Sequence, residues 1–102
     1  MIKTIDTVIL GLLMFFTCAD ARRVLAEIRH AVRPGGIAAI NVLIEGTTFM
    51  GMFDPEEHCL FPPAEIHETF ADWEILLDRI DEFPAPGNRS KRFATVIARR
   101  PA

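Results

Sequence analysis

DTVILGLLMFFTCADARRVLAEIRHAVRPGGIAAINVLIE, residues 6–45, decides the fold. Thr7 to Phe16 is almost wholly apolar and rich in Val, Ile, Leu and Phe, the composition of a strand buried on both faces of a parallel sheet. A helical pattern follows. Ala21, Val24, Leu25, Ile28 and Val32 fall on one face at 3.6-residue spacing, with Asp20 as the predicted N-cap and Arg22, Arg23, Glu27 and Arg29 on the outer face. Pro34 ends that helix, because it lacks an N–H and pushes Arg33 out of the α region. Gly35-Gly36 permits positive φ in a tight turn, and Ile37 to Ile44 is the next buried strand. Strand, crossover helix and strand make a right-handed βαβ unit with parallel strands.

Beyond it, Glu45 to Phe61 loses all periodicity and reads as a long irregular loop or short broken helix. It leaves the C-terminal end of a parallel strand, the edge at which open α/β sheets place their ligands. Pro63 to Phe70 predicts a short helix with Ile66 and Phe70 inward, and Trp73 to Phe83 a strand that turns polar at Asp78, Asp81 and Glu82. After the turn-rich Pro84–Asn88, Phe93, Thr95 and Ile97 alternate with Ala94, Val96 and Ala98 in a last strand that the short connection makes antiparallel to its predecessor.

At 102 residues, half of them hydrophobic and a quarter charged, the chain has room for one small globular domain, 1–102. A net charge of −3 and no clustered basic face argue against a nucleic-acid binder. Arg89, Lys91, Arg92, Arg99 and Arg100 read as a solvated strand edge. Lys3, the apolar run and Cys18-Ala19-Asp20-Ala21 imitate a signal peptide, but Asp6 interrupts it, and the run is too short to span a bilayer. Cys18 and Cys59 form no disulfide framework and no C-x-x-C. A reduced, cytoplasmic, non-membrane protein is therefore expected. His58, Cys59 and His67 fit no zinc spacing, so no metal site is assigned.

The Asp6-Thr7-Val8-Ile9 opening, the Arg33-Pro34-Gly35-Gly36 turn, Leu13-Met14-Phe15-Phe16, Asn41-Val42 and Lys91-Arg92-Phe93-Ala94-Thr95-Val96-Ile97-Ala98-Arg99 together resemble the C-terminal half of a class I S-adenosylmethionine-dependent methyltransferase. The tellurite-resistance branch is the best match, although its K-x-R-F-A-T ending has one residue more between Lys91 and Arg92. The resemblance implies an α/β fold, half of a Rossmann-like methyltransferase. Its sheet would be four-stranded and mixed, in the family's order 4-5-7-6, with the last strand antiparallel.

The same resemblance implies S-adenosylmethionine as cofactor and places vestigial contacts at Gly11, Leu12, Leu13, Met14 and Phe15. None of the six glycines forms the family's G-x-G-x-G turn, so an isolated copy is expected to bind the cofactor poorly or not at all, with no catalytic residue to assign. Asn41, Phe53, His58 and Cys59 are the candidate substrate contacts; Phe49, Met50, Met52 and Phe53 form an adaptable apolar cluster, and His30 is a dipole partner at its helix's C-terminus. In the family the fourth strand is central. Here its counterpart, Thr7 to Phe16, would be a bare apolar edge. A two-fold homodimer that pairs this strand with its own copy is the simplest cover, and a separate chain carrying the missing half is the alternative. The two functional readings are thus a methyltransferase-like half-domain and a non-catalytic homodimeric binding or assembly module.

Overall fold

The computed structural model describes residues 5–11, 13–48, 50 and 58–102. In chain order the elements are β1 (Ile5–Leu10), α1 (Cys18–Ala31), β2 (Val32–Leu43), α2 (Glu65–Thr69), β3 (Glu74–Ala85) and β4 (Arg89–Arg99), with a 3-10 turn at Leu13–Phe15. The four strands form one mixed sheet in the order β1-β2-β4-β3. β1 runs parallel to β2, with Val8 opposite Ala38 and Leu10 opposite Ile40, while β4 is antiparallel to both β2 and β3. This is the expected mixed four-stranded topology.

The core lies on one face of the sheet. Ala21, Leu25 and Ile28 of α1, Ile66 of α2 and Phe70 at its C-terminus pack with Ala38, Ile40, Val42, Ala94, Val96 and Ala98 from alternate positions of β2 and β4. Charge holds the helices in place. The Arg22 guanidinium donates two 2.8 Å bonds to Glu65, and Arg29 donates to both Asp72 oxygens and to the Thr69 carbonyl while lying over Phe70 and Trp73. Two of the arginines assigned to the outer face of α1 therefore join it to α2 and the turn that follows.

Several boundaries differ from the sequence reading. β1 ends at Leu10, and Leu13–Phe15 coils as the 3-10 turn. The β1–β2 ladder ends with Leu10 opposite Ile40, and beyond it the Phe16 N–H bonds back to the Leu13 carbonyl at 3.1 Å, a turn bond in place of a ladder bond, with Leu13 in the helix-side core and Met14 on Leu43 in a second cluster. The N-cap is Thr17, whose Oγ1 accepts from the Asp20 N–H at 3.2 Å; Asp20 sits in the first turn and pairs with Arg23. β1 is not buried on both faces. Ile9 is 82% exposed, because α1 covers only the side to which Val8 and Leu10 point.

The basic residues near the C-terminus belong to an interior strand and its end, not to a strand edge. Arg99 pairs with Glu74, Arg92 donates to the Glu45 carbonyl, and Arg100 donates to the His30 and Val32 carbonyls at the C-terminus of α1. The cysteines are corrected as well. Cys18 and Cys59 are joined by a disulfide spanning 41 residues, a pairing that sequence spacing does not signal and that the fold creates by bringing the start of α1 against the chain returning to β2.

Candidate functional site

The C-terminal ends of the parallel strands β1 and β2 lie side by side, and the segments leaving them form one rim. Gly11 and the 3-10 turn follow β1; Ile44 to Thr48 follow β2, and His58 to Phe61 return to it. Three backbone bonds close the rim: Cys59 N–H to the Met14 carbonyl at 3.1 Å, Phe61 N–H to the Leu43 carbonyl at 3.0 Å, and Glu45 N–H to the Phe61 carbonyl at 2.9 Å. Side chains alternate across it, Cys59 and Phe61 joining the helix-side core and Leu60 joining Met14, Leu43, Met50 and Phe93 on the opposite side. The Cys18–Cys59 bond adds a covalent tie. Thr47 and Thr48 then fasten the segment after β2 to β4: the Arg92 N–H donates to Thr47 Oγ1 at 2.9 Å, and the Thr48 N–H donates to the Ser90 carbonyl at 2.9 Å.

The predicted cofactor contacts divide. Leu13 is fully buried in the core, Met14 packs on Leu43, Phe15 is exposed at the rim, and Gly11 has nothing within 4 Å of an added Cβ. Leu12 lies outside the described residues, as do Phe49, Met52 and the candidate substrate contact Phe53. His58 is partly buried on the rim. Cys59 is buried and bonded to Cys18, so in this state it offers no thiol to a substrate. Asn41 lies two residues before the end of β2, on the face that α1 and α2 leave open, and its Nδ2 donates to Thr95 Oγ1 at 2.8 Å from the directly opposite position of β4. It is a cross-strand clasp.

Two cavities lie elsewhere. One of about 400 Å³ is lined by Arg29, His30, Asp72, Trp73 and Arg100. There the Arg29 guanidinium beside Asp72 holds that carboxyl below the usual carboxylate range, chiefly by hydrogen bonding to it. The second, about 330 Å³, is lined by Pro63, Ala64, His67, Asp78 and Ile80, with His67 Nδ1 2.5 Å from Asp78 Oδ2. Among the described residues no three metal-ligating side chains gather, and no helix is long and apolar enough to cross a membrane.

The open face completes the picture. Ile9, Ile37, Ala39, Asn41, Thr95 and Ile97, at matching register positions of β1, β2 and β4, are all exposed or partly exposed. It adjoins β1, whose outer edge pairs with no strand among the described residues.

No family model and no curated protein sequence matches the chain. Solved structures do. TehB from Haemophilus influenzae superposes with a TM-score of 0.76 over 96% of this chain and 36% of its own, at 20% identity. The chain carries part of the methyltransferase fold. An S-adenosylmethionine-dependent methyltransferase from Methanosarcina mazei matches with a TM-score of 0.66 over 97% of this chain and 60% of its own, at 16% identity. An O-methyltransferase family protein from Burkholderia thailandensis matches with a TM-score of 0.63 over 98% and 31%, at 19% identity. The chain thus spans between about a third and three-fifths of each of these methyltransferase structures. On that fold, the rim lies at the C-terminal ends of the parallel strands β1 and β2, the position at which α/β proteins bind their ligands.

Proposed function

We propose that this chain is the substrate-side part of a small-molecule, S-adenosylmethionine-dependent methyltransferase of the tellurite-resistance type. In this reading it binds cofactor only when a polypeptide bearing the glycine-rich turn is joined to it at β1. The observation that carries the reading is the position of β1. It is the edge of the sheet, it begins a βαβ unit whose helix lies on one face, and it adjoins a face that is apolar and open. Right-handed crossovers require that parallel strands added beyond β1, wound in the opposite sense, carry their helices on that open face. A strand pair and a helix would then cover the edge and the face together. The junction would be the reversal point of the sheet, with Gly11 to Phe15 at its mouth and His58 on the substrate side. Methyl transfer depends on holding acceptor and sulfonium in line, so half of the cradle supplies little catalysis.

Calorimetry with the pure, folded chain tests this. No heat is expected with millimolar S-adenosylmethionine alone, and binding is expected once a polypeptide carrying a G-x-G-x-G half, encoded in frame upstream or by a neighbouring gene, is added. Heat from the chain alone would refute the division of labour. Failure of the combined halves to bind would refute the methyltransferase reading.

A second reading is the homodimeric module, and the sequence of β1 favours it. Antiparallel self-pairing centred on Val8 sets Asp6 opposite Leu10 and Thr7 opposite Ile9, so no like charges meet. That arrangement covers the edge and leaves the open face bare, which is why it ranks second.

A further inference from the structure

We propose that the Cys18–Cys59 bond is a reversible thiol–disulfide pair whose oxidation state sets how firmly the segment Cys59–Phe61 is seated on the turn after β1. The two ends of the bond belong to the two halves of the rim. Cys18 is the first residue of α1, three positions beyond the 3-10 turn, and Cys59 donates its N–H to the Met14 carbonyl within that turn. Both redox states suit the rest of the fold. The helix-side core is a continuous cluster reaching from Leu13 and Ala21 across β2 and β4 to Phe70 and Trp73, to which the pair contributes Cys59 and, at its margin, Cys18. Cys59 sits in that cluster at 1% exposure, where a neutral thiol behaves as a small apolar side chain.

Access is one-sided, because Cys18 is partly exposed and Cys59 is not. The reductant is of the low-molecular-weight thiol class. Its thiolate attacks Cys18 Sγ, the protein S–S bond breaks, and the electron pair departs on Cys59 Sγ, which takes a proton to become the buried thiol. A second small thiolate attacks the sulfur of the first, releasing Cys18 as a thiolate and leaving a small-molecule disulfide. Two electrons enter the protein, and two small thiols become one disulfide. The Cys18 thiolate emerges at the N-terminus of the 14-residue α1, where backbone N–H groups and the helix dipole stabilise negative charge. A chain with two cysteines, both in this pair, has no competing disulfide to form within itself.

With the bond broken, the 41-residue loop between Cys18 and Cys59 is no longer closed covalently, and the rim is held by its backbone bonds and apolar contacts alone. The inference stands on this geometry and does not depend on the methyltransferase reading. Its test is hydrogen exchange read by mass spectrometry on the full chain, oxidised and reduced, with thiols counted by maleimide labelling across a series of glutathione buffers. The pair is expected to interconvert within that series. Reduction is expected to speed exchange of the Cys59 and Phe61 amides about tenfold or more beyond the uniform acceleration that lost global stability gives the β2 and β4 amides, and equal acceleration throughout would overturn the proposal. Cys18→Ser is expected to show the reduced pattern even in oxidising buffer, and the reduced wild-type chain gives the same information should that variant fold poorly. Unchanged protection of Cys59 and Phe61 on reduction would overturn the proposal. So would a pair that stays oxidised in the most reducing buffer, or one that never oxidises.

Discussion

A Cβ added to Gly36 would lie 2.7 Å from the carbonyl oxygen of Asp6 and 2.9 Å from that of Arg33. Two backbones approach here because β1 enters the sheet against the start of β2, where the register between them shifts and Arg33 pairs with Asp6. Gly35, by contrast, has φ +82° and nothing within 4 Å of an added Cβ. The two glycines are thus required for different reasons, one for space and one for conformation. Gly36→Ala is expected to destabilise the fold by about 3 kcal/mol through overpacking, and Gly35→Ala by about 1 kcal/mol through its left-handed φ. Urea denaturation of both variants checks this; equal midpoints would mean that the close approach does not form.

Removing the disulfide has its own expected cost. Closing a 41-residue loop restricts the unfolded chain by about 4 kcal/mol in the chain-entropy account. Cys18→Ser, Cys59→Ala and reduction of the wild-type chain should each lower stability by roughly 2–4 kcal/mol. The double variant should lose little more than either single one, since the bond is broken once. Denaturant titrations under oxidising and reducing conditions measure all four.

The fold was legible where periodicity and chain-breaking residues agree. The α1 stripe Ala21, Leu25, Ile28 is buried as read, Gly35 takes its positive φ, and Ile66 and Phe70 point inward. The alternation of Ala94, Val96 and Ala98 set the face of β4, and the resemblance supplied its place between β2 and β3. What was illegible depends on contacts between distant residues. Nothing local in Thr7 to Phe16 says that the strand stops at Leu10, because the stop is set by where pairing with β2 ends and by the returning chain, whose Cys59 N–H takes the Met14 carbonyl. Nothing in the spacing of Cys18 and Cys59 says that they meet. Asn41 was legible as a polar residue needing a partner, while Thr95 as that partner follows from the β2–β4 register.

Arg29 and Asp72 give a pH dependence with a definite sign. Hydrogen bonding to Arg29 lowers the Asp72 pKa in the fold. A depressed carboxylate contributes stability that is complete above its unfolded value, about 4, and is lost as pH falls through the folded one. Asp72→Asn should therefore melt below wild type at neutral pH, and the gap should close on acidification. Thermal midpoints of both proteins across the acid range test it; a gap that persists at the lowest pH would assign the loss to packing instead.

The Asn41–Thr95 clasp predicts coupling between two strands. Asn41→Val or Thr95→Val alone leaves one partly buried polar group without its partner and should cost about 1–2 kcal/mol. Replacing both removes the need for a bond and leaves an apolar pair at directly opposite positions of β2 and β4. The double variant should recover most of the loss, giving a coupling energy of about 1 kcal/mol in a double-mutant cycle. Additive losses would show that the bond contributes nothing of its own.

Ile9 separates the stability of the chain from what the chain docks to. At 82% exposure its side chain supports little within the chain, while the neighbouring Val8 packs against the core. Ile9→Lys should leave the unfolding free energy within about 0.5 kcal/mol of wild type, and Val8→Lys should destabilise it severely, because a charge would enter an apolar contact. Association should respond in the opposite order. A lysine on an edge strand is a known obstacle to further pairing, and in either proposed use of β1, by a second copy or by a complementing half, Ile9 sits at the seam. Sedimentation across a range of concentrations, with and without the complementing polypeptide, decides between the occupants. Ile9→Lys that remains as fully associated as wild type, with folding intact, would show that β1 is not the edge through which this sheet is extended.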